Sequence, residues 1–148
     1  MDIADIQDRT SELVEALLGV WERSVRATHD FLTEEDVTRI RGYVPQAIGG
    51  VGRLAVARTD DGRALGFAGA NGTMLEMLFV DAGERGTGVG SALLRHAIGD
   101  WGVSELTVNE QNPQAVGFYE HMGFVTFDRS ETDDAGEPFP LLHMRLTR

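Results

Sequence analysis

Gly83-Glu84-Arg85-Gly86-Thr87-Gly88-Val89-Gly90 holds four glycines and an arginine in eight residues. The apolar run Leu78-Phe79-Val80 precedes it, and Val89, Ala92, Leu93, Ala97 and Trp101 follow at helical spacing. A strand, a glycine-rich loop and a helix N-terminus together make an anion site. The first helical N–H groups point outward, the helix dipole adds about half a positive charge, and glycine lets a ligand approach the backbone. Phosphate is the natural ligand class. Gly83 and Gly88 have the spacing of a Walker loop, but Val89 stands where its lysine must be. Gly88-x-Gly90 begins a dinucleotide fingerprint, but Leu93 stands where the third glycine must be. Neither nucleotide motif is complete. Elsewhere, Glu76 is an acidic residue in an apolar segment. Tyr119, by residue type alone, reads as a core aromatic. His29, His96, His121 and His143 show no metal-ligand spacing, and without cysteine there is no thiolate ligand or nucleophile, so no metal is expected.

The elements that must hold these groups follow from pattern. Asp2 to Arg9 reads as a short edge strand. Ser11 caps a helix carrying Leu13, Val14, Leu17, Leu18 and Trp21. Thr33 with Asp36 opens a second helix running to about Ala47, ended by Gly49, Gly50 and Gly52. Arg53 to Arg58, Ala64 to Ala70 and Thr73 to Val80 form a meander through turns at Thr59–Gly62 and Asn71-Gly72, with Leu75, Met77 and Phe79 on one face. Glu76 then shares the face of Leu78 and Val80. After the loop and its helix come a strand at Glu105–Val108 and a helix from Pro113 to Gly123. Closing strands at Phe124–Phe127 and Leu141–Leu146 are joined by the acidic loop Asp128 to Glu137. The pattern is α+β.

A length of 148 residues fits one domain, with 42% hydrophobic and 25% charged residues, the profile of a globular chain. No apolar run approaches the roughly 18 residues of a membrane span. The first residues carry no basic segment followed by an apolar run, so no secretory signal or membrane partner is expected and the cytoplasm is the default compartment. The net charge is −11 and every basic residue is arginine. Such acidity disfavours a nucleic-acid partner and suits a cationic one.

Arg85-x-x-Gly88-x-Gly90 after Leu78-Phe79-Val80 resembles the acyl-CoA signature of the GCN5-related N-acetyltransferases (GNATs). Asn112-x-x-Ala115-x-x-Phe118-Tyr119-x-x-x-Gly123-Phe124 resembles that family's second motif at the usual distance downstream. Either motif alone is suggestive; the ordered pair is specific. Segments around Trp21–Leu32, Val108–Asn112 and Pro138–Leu142 are similar to small single-domain bacterial members. The resemblance spans the chain. It implies one N-acetyltransferase domain over residues 1–148. It also implies a GNAT-like mixed, mostly antiparallel central sheet of six to seven strands with flanking helices, splayed between the fourth and fifth strands.

By this resemblance the pyrophosphate of acetyl-CoA sits on Arg85, Gly86, Thr87, Gly88, Val89 and Gly90, with Ser91 adding a hydroxyl. The pantetheine arm runs along Leu78, Phe79 and Val80 and meets Asn112, Ala115, Phe118 and Tyr119. The Leu78 N–H polarises the thioester carbonyl. Tyr119 matches the family's general acid. A phenol of pKa about 10 can protonate a leaving thiolate, whose thiol has pKa about 8.5, without itself being ionised at neutral pH. Glu76 is the candidate base, acting through water on an ammonium of pKa near 10. Trp21, Thr28, His29, Phe31, Leu32, Asn109 and His143 are the candidate acceptor-site residues. The activity implied is transfer of an acetyl group from acetyl-CoA to a primary amine by direct attack in a ternary complex, by a monomer or homodimer. The alternatives are a non-catalytic acyl-CoA-binding regulatory module and an acetylating toxin acting on aminoacyl-tRNA, the latter opposed by the net charge.

Overall fold

The computed structural model describes residues 1–147. Thirteen elements follow in order: β1 (Asp2–Asp5), α1 (Ser11–Thr28), α2 (Glu34–Arg41), α3 (Val44–Gly50), β2 (Arg53–Arg58), β3 (Ala64–Asn71), β4 (Met74–Val80), a 3-10 turn (Ala82–Glu84), α4 (Val89–Trp101), β5 (Glu105–Asn109), α5 (Pro113–His121), β6 (Phe124–Ser130) and β7 (Leu141–Leu146). They form two compact units, Met1–Val103 and Ser104–Arg148. The class is α+β, and the strand pairings within each unit are antiparallel. Among the described residues no helix is long and apolar enough to cross a membrane.

In the first unit β1, β2, β3 and β4 pair in sequence order. Leu54, Val56 and Phe67 point to one face and pack with Leu17, Trp21 and Ile48 from α1 and α3, and Met77 and Phe79 join them. Alternation leaves the small residues Ala55, Ala57, Gly66, Ala68 and Ala70 on the other face. There α4 lies close. A Cβ at Gly66 would come within 2.8 Å of the Phe79 carbonyl oxygen, 3.1 Å of Val89 and 3.2 Å of Leu93. Large side chains on one face and small ones on the other thus seat α4 and the loop before it.

Several sequence expectations change here. The N-cap of α1 is Thr10, whose hydroxyl accepts the Leu13 N–H, rather than Ser11. The first strand stops at Asp5. Arg9 instead reaches the C-terminal end of α3, donating to the Ile48 (3.1 Å), Gly49 (3.2 Å) and Val51 carbonyls, as the helix dipole favours. The single helix expected from Thr33 to Ala47 is two helices. Thr33 and Asp36 form a reciprocal capping box for α2. The first helix then closes at Gly42, and Pro45 lacks the N–H that would carry it onward.

The register of β4 also differs. Met77 lies opposite Gly69 and Leu75 opposite Ala70, so Glu76 is an extra residue in a β-bulge. Leu75 is thereby turned to the face opposite Met77 and Phe79, contrary to simple alternation. Glu76 is exposed.

In the second unit β7 lies between β5 and β6. Leu106, Val108, Phe124 and Met144 are buried, and Tyr119 of α5 packs edge-on against Phe124, with ring centroids 6.0 Å apart. The sixth strand runs three residues past the expected Phe127, so the acidic connection starts at Glu131. A bulge at Phe127 interrupts its pairing.

Candidate active site

The loop between β4 and α4 is shaped for an anion. Gly86 and Gly88 have φ +79° and +91°, a left-handed conformation that other residues rarely adopt. Gly88 caps α4 with no side chain over the helix end. The first intrahelical bond of α4 runs from the Ala92 N–H to the Gly88 carbonyl (3.0 Å). The N–H groups of Val89, Gly90 and Ser91 therefore have no acceptor within the helix. The Thr87 hydroxyl turns back onto the Glu84 carbonyl (2.5 Å), so it braces the loop. Arg85 is exposed.

Leu78, Phe79 and Val80, half-buried on β4, pair with Ala68, Phe67 and Gly66. The Phe79 ring lies 5.6 Å from Phe67. Its side chain thus supports the core, leaving the backbone as the polar part of this strand.

The C-terminal end of α1 gathers four candidate acceptor residues. The Thr28 hydroxyl donates to the Ser24 carbonyl (2.9 Å) and lies 2.8 Å from His29 Nδ1. One hydroxyl proton cannot serve both contacts, so Nδ1 carries the imidazole proton in the arrangement that satisfies both. Burial pulls the His29 pKa below its ordinary value. Phe31 stacks obliquely on His29 at 5.3 Å, and the Leu32 N–H donates to the His29 carbonyl (3.1 Å). Trp21, about two turns earlier, is only 3% exposed and belongs to the core.

In the second unit, Asn112 is the N-cap of α5: its side-chain oxygen accepts the Ala115 N–H (3.3 Å), and the residue is buried. Asn109 ends β5 and accepts the Gln111 N–H (3.0 Å). Pro113 suits the first turn, and Tyr119 follows with its ring buried against Phe118 and Phe124. Among the described residues the Tyr119 hydroxyl has no hydrogen-bond partner. Burial raises its pKa well above that of a free phenol. His143, half-buried on β7, lies 2.7 Å (Nε2) from the Ser130 hydroxyl.

The GNAT acetyltransferase domain profile matches residues 33–148. The chain belongs to the GNAT family. It is 40% identical over 146 residues, 96% of each chain, to the peptidyl-lysine N-acetyltransferase YjaB of Escherichia coli strain K12. It is 42% identical over 134 residues, covering 88% of this chain and 89% of the other, to the protein of the same name from Salmonella typhimurium. The solution structure of apo-form YjaB from E. coli superposes with a TM-score of 0.88 over 99% of both chains. This GNAT is accordingly an acyltransferase with the family fold.

Some residues of this GNAT's first unit escaped sequence reasoning. Asp81, between β4 and the 3-10 turn, is buried and binds Arg23 of α1 through two guanidinium nitrogens (2.8 and 3.1 Å). The Arg23 guanidinium holds the Asp81 carboxyl below the usual carboxylate range. Arg63 covers Glu84 at 3.5 Å. Away from the loop, His96 lies between Asp5 (3.0 Å) and Asp100 (3.3 Å), with the Trp101 N–H also donating to Asp5 (3.0 Å). These three titratable groups place ligand atoms within 4.8 Å of one another, a grouping absent from the sequence spacing. Each imidazole nitrogen already faces a carboxylate, and the cluster ties β1 to α4.

Proposed function

We propose that residues 1–148 form a single N-acetyltransferase domain, acting in the cytoplasm, that transfers the acetyl group of acetyl-CoA to the ε-amino group of lysine in a peptide or protein. The observation that carries this reading is the 40% identity, over 96% of both chains, to an enzyme named for that reaction, in a chain whose Arg85, Gly88, Gly90 and Tyr119 match the family motifs. The presence of Tyr119 and Glu76 favours an enzyme over a binding module, and the net charge of −11 suits a cationic lysine better than a tRNA.

The Gly86–Ser91 backbone holds the pyrophosphate, and the exposed Arg85 adds positive charge. Backbone groups of Leu78–Val80 and the side chains of Asn112, Ala115 and Phe118 hold the pantetheine arm. The substrate ammonium first loses a proton through water to Glu76. The neutral nitrogen attacks the thioester carbonyl, a C–N bond forms, and the oxyanion is met by the Leu78 N–H. The C–S bond then breaks. Tyr119, kept protonated by burial, gives its proton to the sulfur as charge develops there. The second proton of the attacking nitrogen passes through water to the phenolate, which leaves a neutral amide and restores Tyr119. Acetyl-lysine and CoA leave after direct transfer in a ternary complex. Thr28, His29, Phe31, Leu32, Asn109 and His143 contact the acceptor, with His29 and His143 able to orient the amine.

Calorimetric titration with acetyl-CoA, against free CoA and ATP, tests the donor. Saturable acetyl-CoA binding with ATP much weaker is expected. Absence of acetyl-CoA binding across several salt concentrations would overturn the reading.

A further inference from the structure

An anion-binding loop that carries its own carboxylates poses an electrostatic problem. Asp81 stands at the entry of the loop and Glu84 within it, so an arriving pyrophosphate meets negative charge. Asp81 cannot swing away. Its N–H donates to the Leu65 carbonyl (2.8 Å) and its carbonyl accepts the Glu84 N–H (2.8 Å). The side chain is 11% exposed. The compensating charge comes from Arg23, 58 residues away on α1, whose Nε lies 3.1 Å from both carboxylate oxygens and whose Nη2 lies 2.8 Å from one of them. This is the two-pronged geometry in which arginine binds carboxylate strongly. The second loop carboxylate is likewise covered, by Arg63.

We propose that Arg23 is a positioning residue for the acyl donor: by cancelling the charge of the immobile Asp81 it allows the pyrophosphate to bind the glycine loop. The inference rests on the donor reading above. The Asp81 backbone fixes the first turn through its N–H and carbonyl, while its side-chain charge is a liability that Arg23 removes. The same pair joins α1, whose C-terminal end carries Thr28 and His29, to the start of the donor loop.

The test is calorimetric titration of the full chain with acetyl-CoA and with S-acetylpantetheine, which lacks the pyrophosphate, at low and high salt. Arg23→Gln should weaken acetyl-CoA binding about five- to tenfold at low salt, and less at high salt, as expected of one partly screened charge. Arg23→Lys should lose clearly less affinity than Arg23→Gln, because the charge is kept although the two-pronged geometry is lost. Arg23→Gln combined with Asp81→Asn should recover most of the affinity, because the carboxylate charge is gone while the side chain keeps its size. In steady state the Arg23→Gln loss should appear in KM for acetyl-CoA, with kcat within about twofold. Affinity for S-acetylpantetheine should not move. Unchanged acetyl-CoA affinity in Arg23→Gln overturns the proposal. So does a double variant as weak as the single one, a Lys variant as weak as Gln, or an equal loss for S-acetylpantetheine, each of which would mark a purely structural role. Absence of acetyl-CoA binding by the unaltered protein refutes the donor reading itself, and this proposal with it.

Discussion

Replacing Tyr119 with Phe removes one oxygen atom from a buried ring. The ring is 8% exposed and packs edge-on against Phe118 (5.3 Å) and Phe124 (6.0 Å), contacts that phenylalanine keeps. The hydroxyl has no hydrogen-bond partner among the described residues, so no internal bond is lost. Stability should therefore change by no more than about 0.5 kcal/mol, or about 2 °C in Tm for a chain of this size. Catalysis should suffer far more. Loss of a general acid costs about 10²-fold or more, which is about 2.7 kcal/mol of transition-state stabilisation. The acid acts only as sulfur becomes negative, so kcat should fall while KM for acetyl-CoA holds. Burial raises the phenol pKa in the folded protein, so an unfolded Tyr119 ionises first on the alkaline side. Its contribution to stability is full below about pH 10 and is lost as pH rises through the higher folded value; the Phe variant should lack that alkaline loss. Thiol release measured at saturating acetyl-CoA, beside a thermal melt, separates the two effects. Turnover equal to that of the unaltered protein would refute the general-acid role, and a fall in turnover matched by a collapse in Tm would refute the separation of chemistry from packing.

Three further outcomes are expected. Gly88→Val should abolish most acetyl-CoA binding: a Cβ there meets no atom within 4 Å, so its cost is left-handed strain of about 1–2 kcal/mol plus obstruction of the phosphate, and unchanged affinity would remove the loop from the donor site. Gly66→Ala should lower stability by about 1–3 kcal/mol, seen as a fall in Tm, because the backbone oxygen of Phe79 at 2.8 Å cannot yield; an undiminished Tm would contradict the close seating of α4. His29 is held neutral by burial, with a folded pKa below its ordinary 6.5, so stability should fall as pH drops through about 6.5 toward the lower folded value; His29→Gln should flatten that acid limb in melts across pH, and an unaltered limb would contradict the burial of His29 as the cause.

Much of the fold was legible because local pattern and tertiary role agree. Arg53–Arg58 appears where alternation between turn signals places it. The glycine loop stands out because left-handed Gly86 and Gly88, helical spacing after Val89 and the preceding apolar strand occur together. The α2–α3 break lies at Gly42 and Pro45, inside an apolar rhythm that continues across it and so reads as one helix. The bulge at Glu76 was not legible, since it depends on which β3 residue lies opposite, a cross-strand fact. Arg23 with Asp81, Arg9 at the end of α3 and His96 with Asp5 are paired across 58, 39 and 91 residues, separations at which sequence carries no local signal. The donor half of the site was therefore readable from motif and glycine chemistry, while the charges that support it became visible only when the strands and helices were in place.

Lysine acetylation itself is tested most directly by mass spectrometry of a lysine-containing peptide mixture incubated with the protein and acetyl-CoA. The chain contains no lysine, so every acetyl-lysine detected derives from the substrate. Acetyl-CoA-dependent acetyl-lysine, lost with Tyr119→Phe, is the expected result. Absence of acetyl-lysine from a protein that binds acetyl-CoA and acetylates other amines would contradict a peptidyl-lysine acceptor.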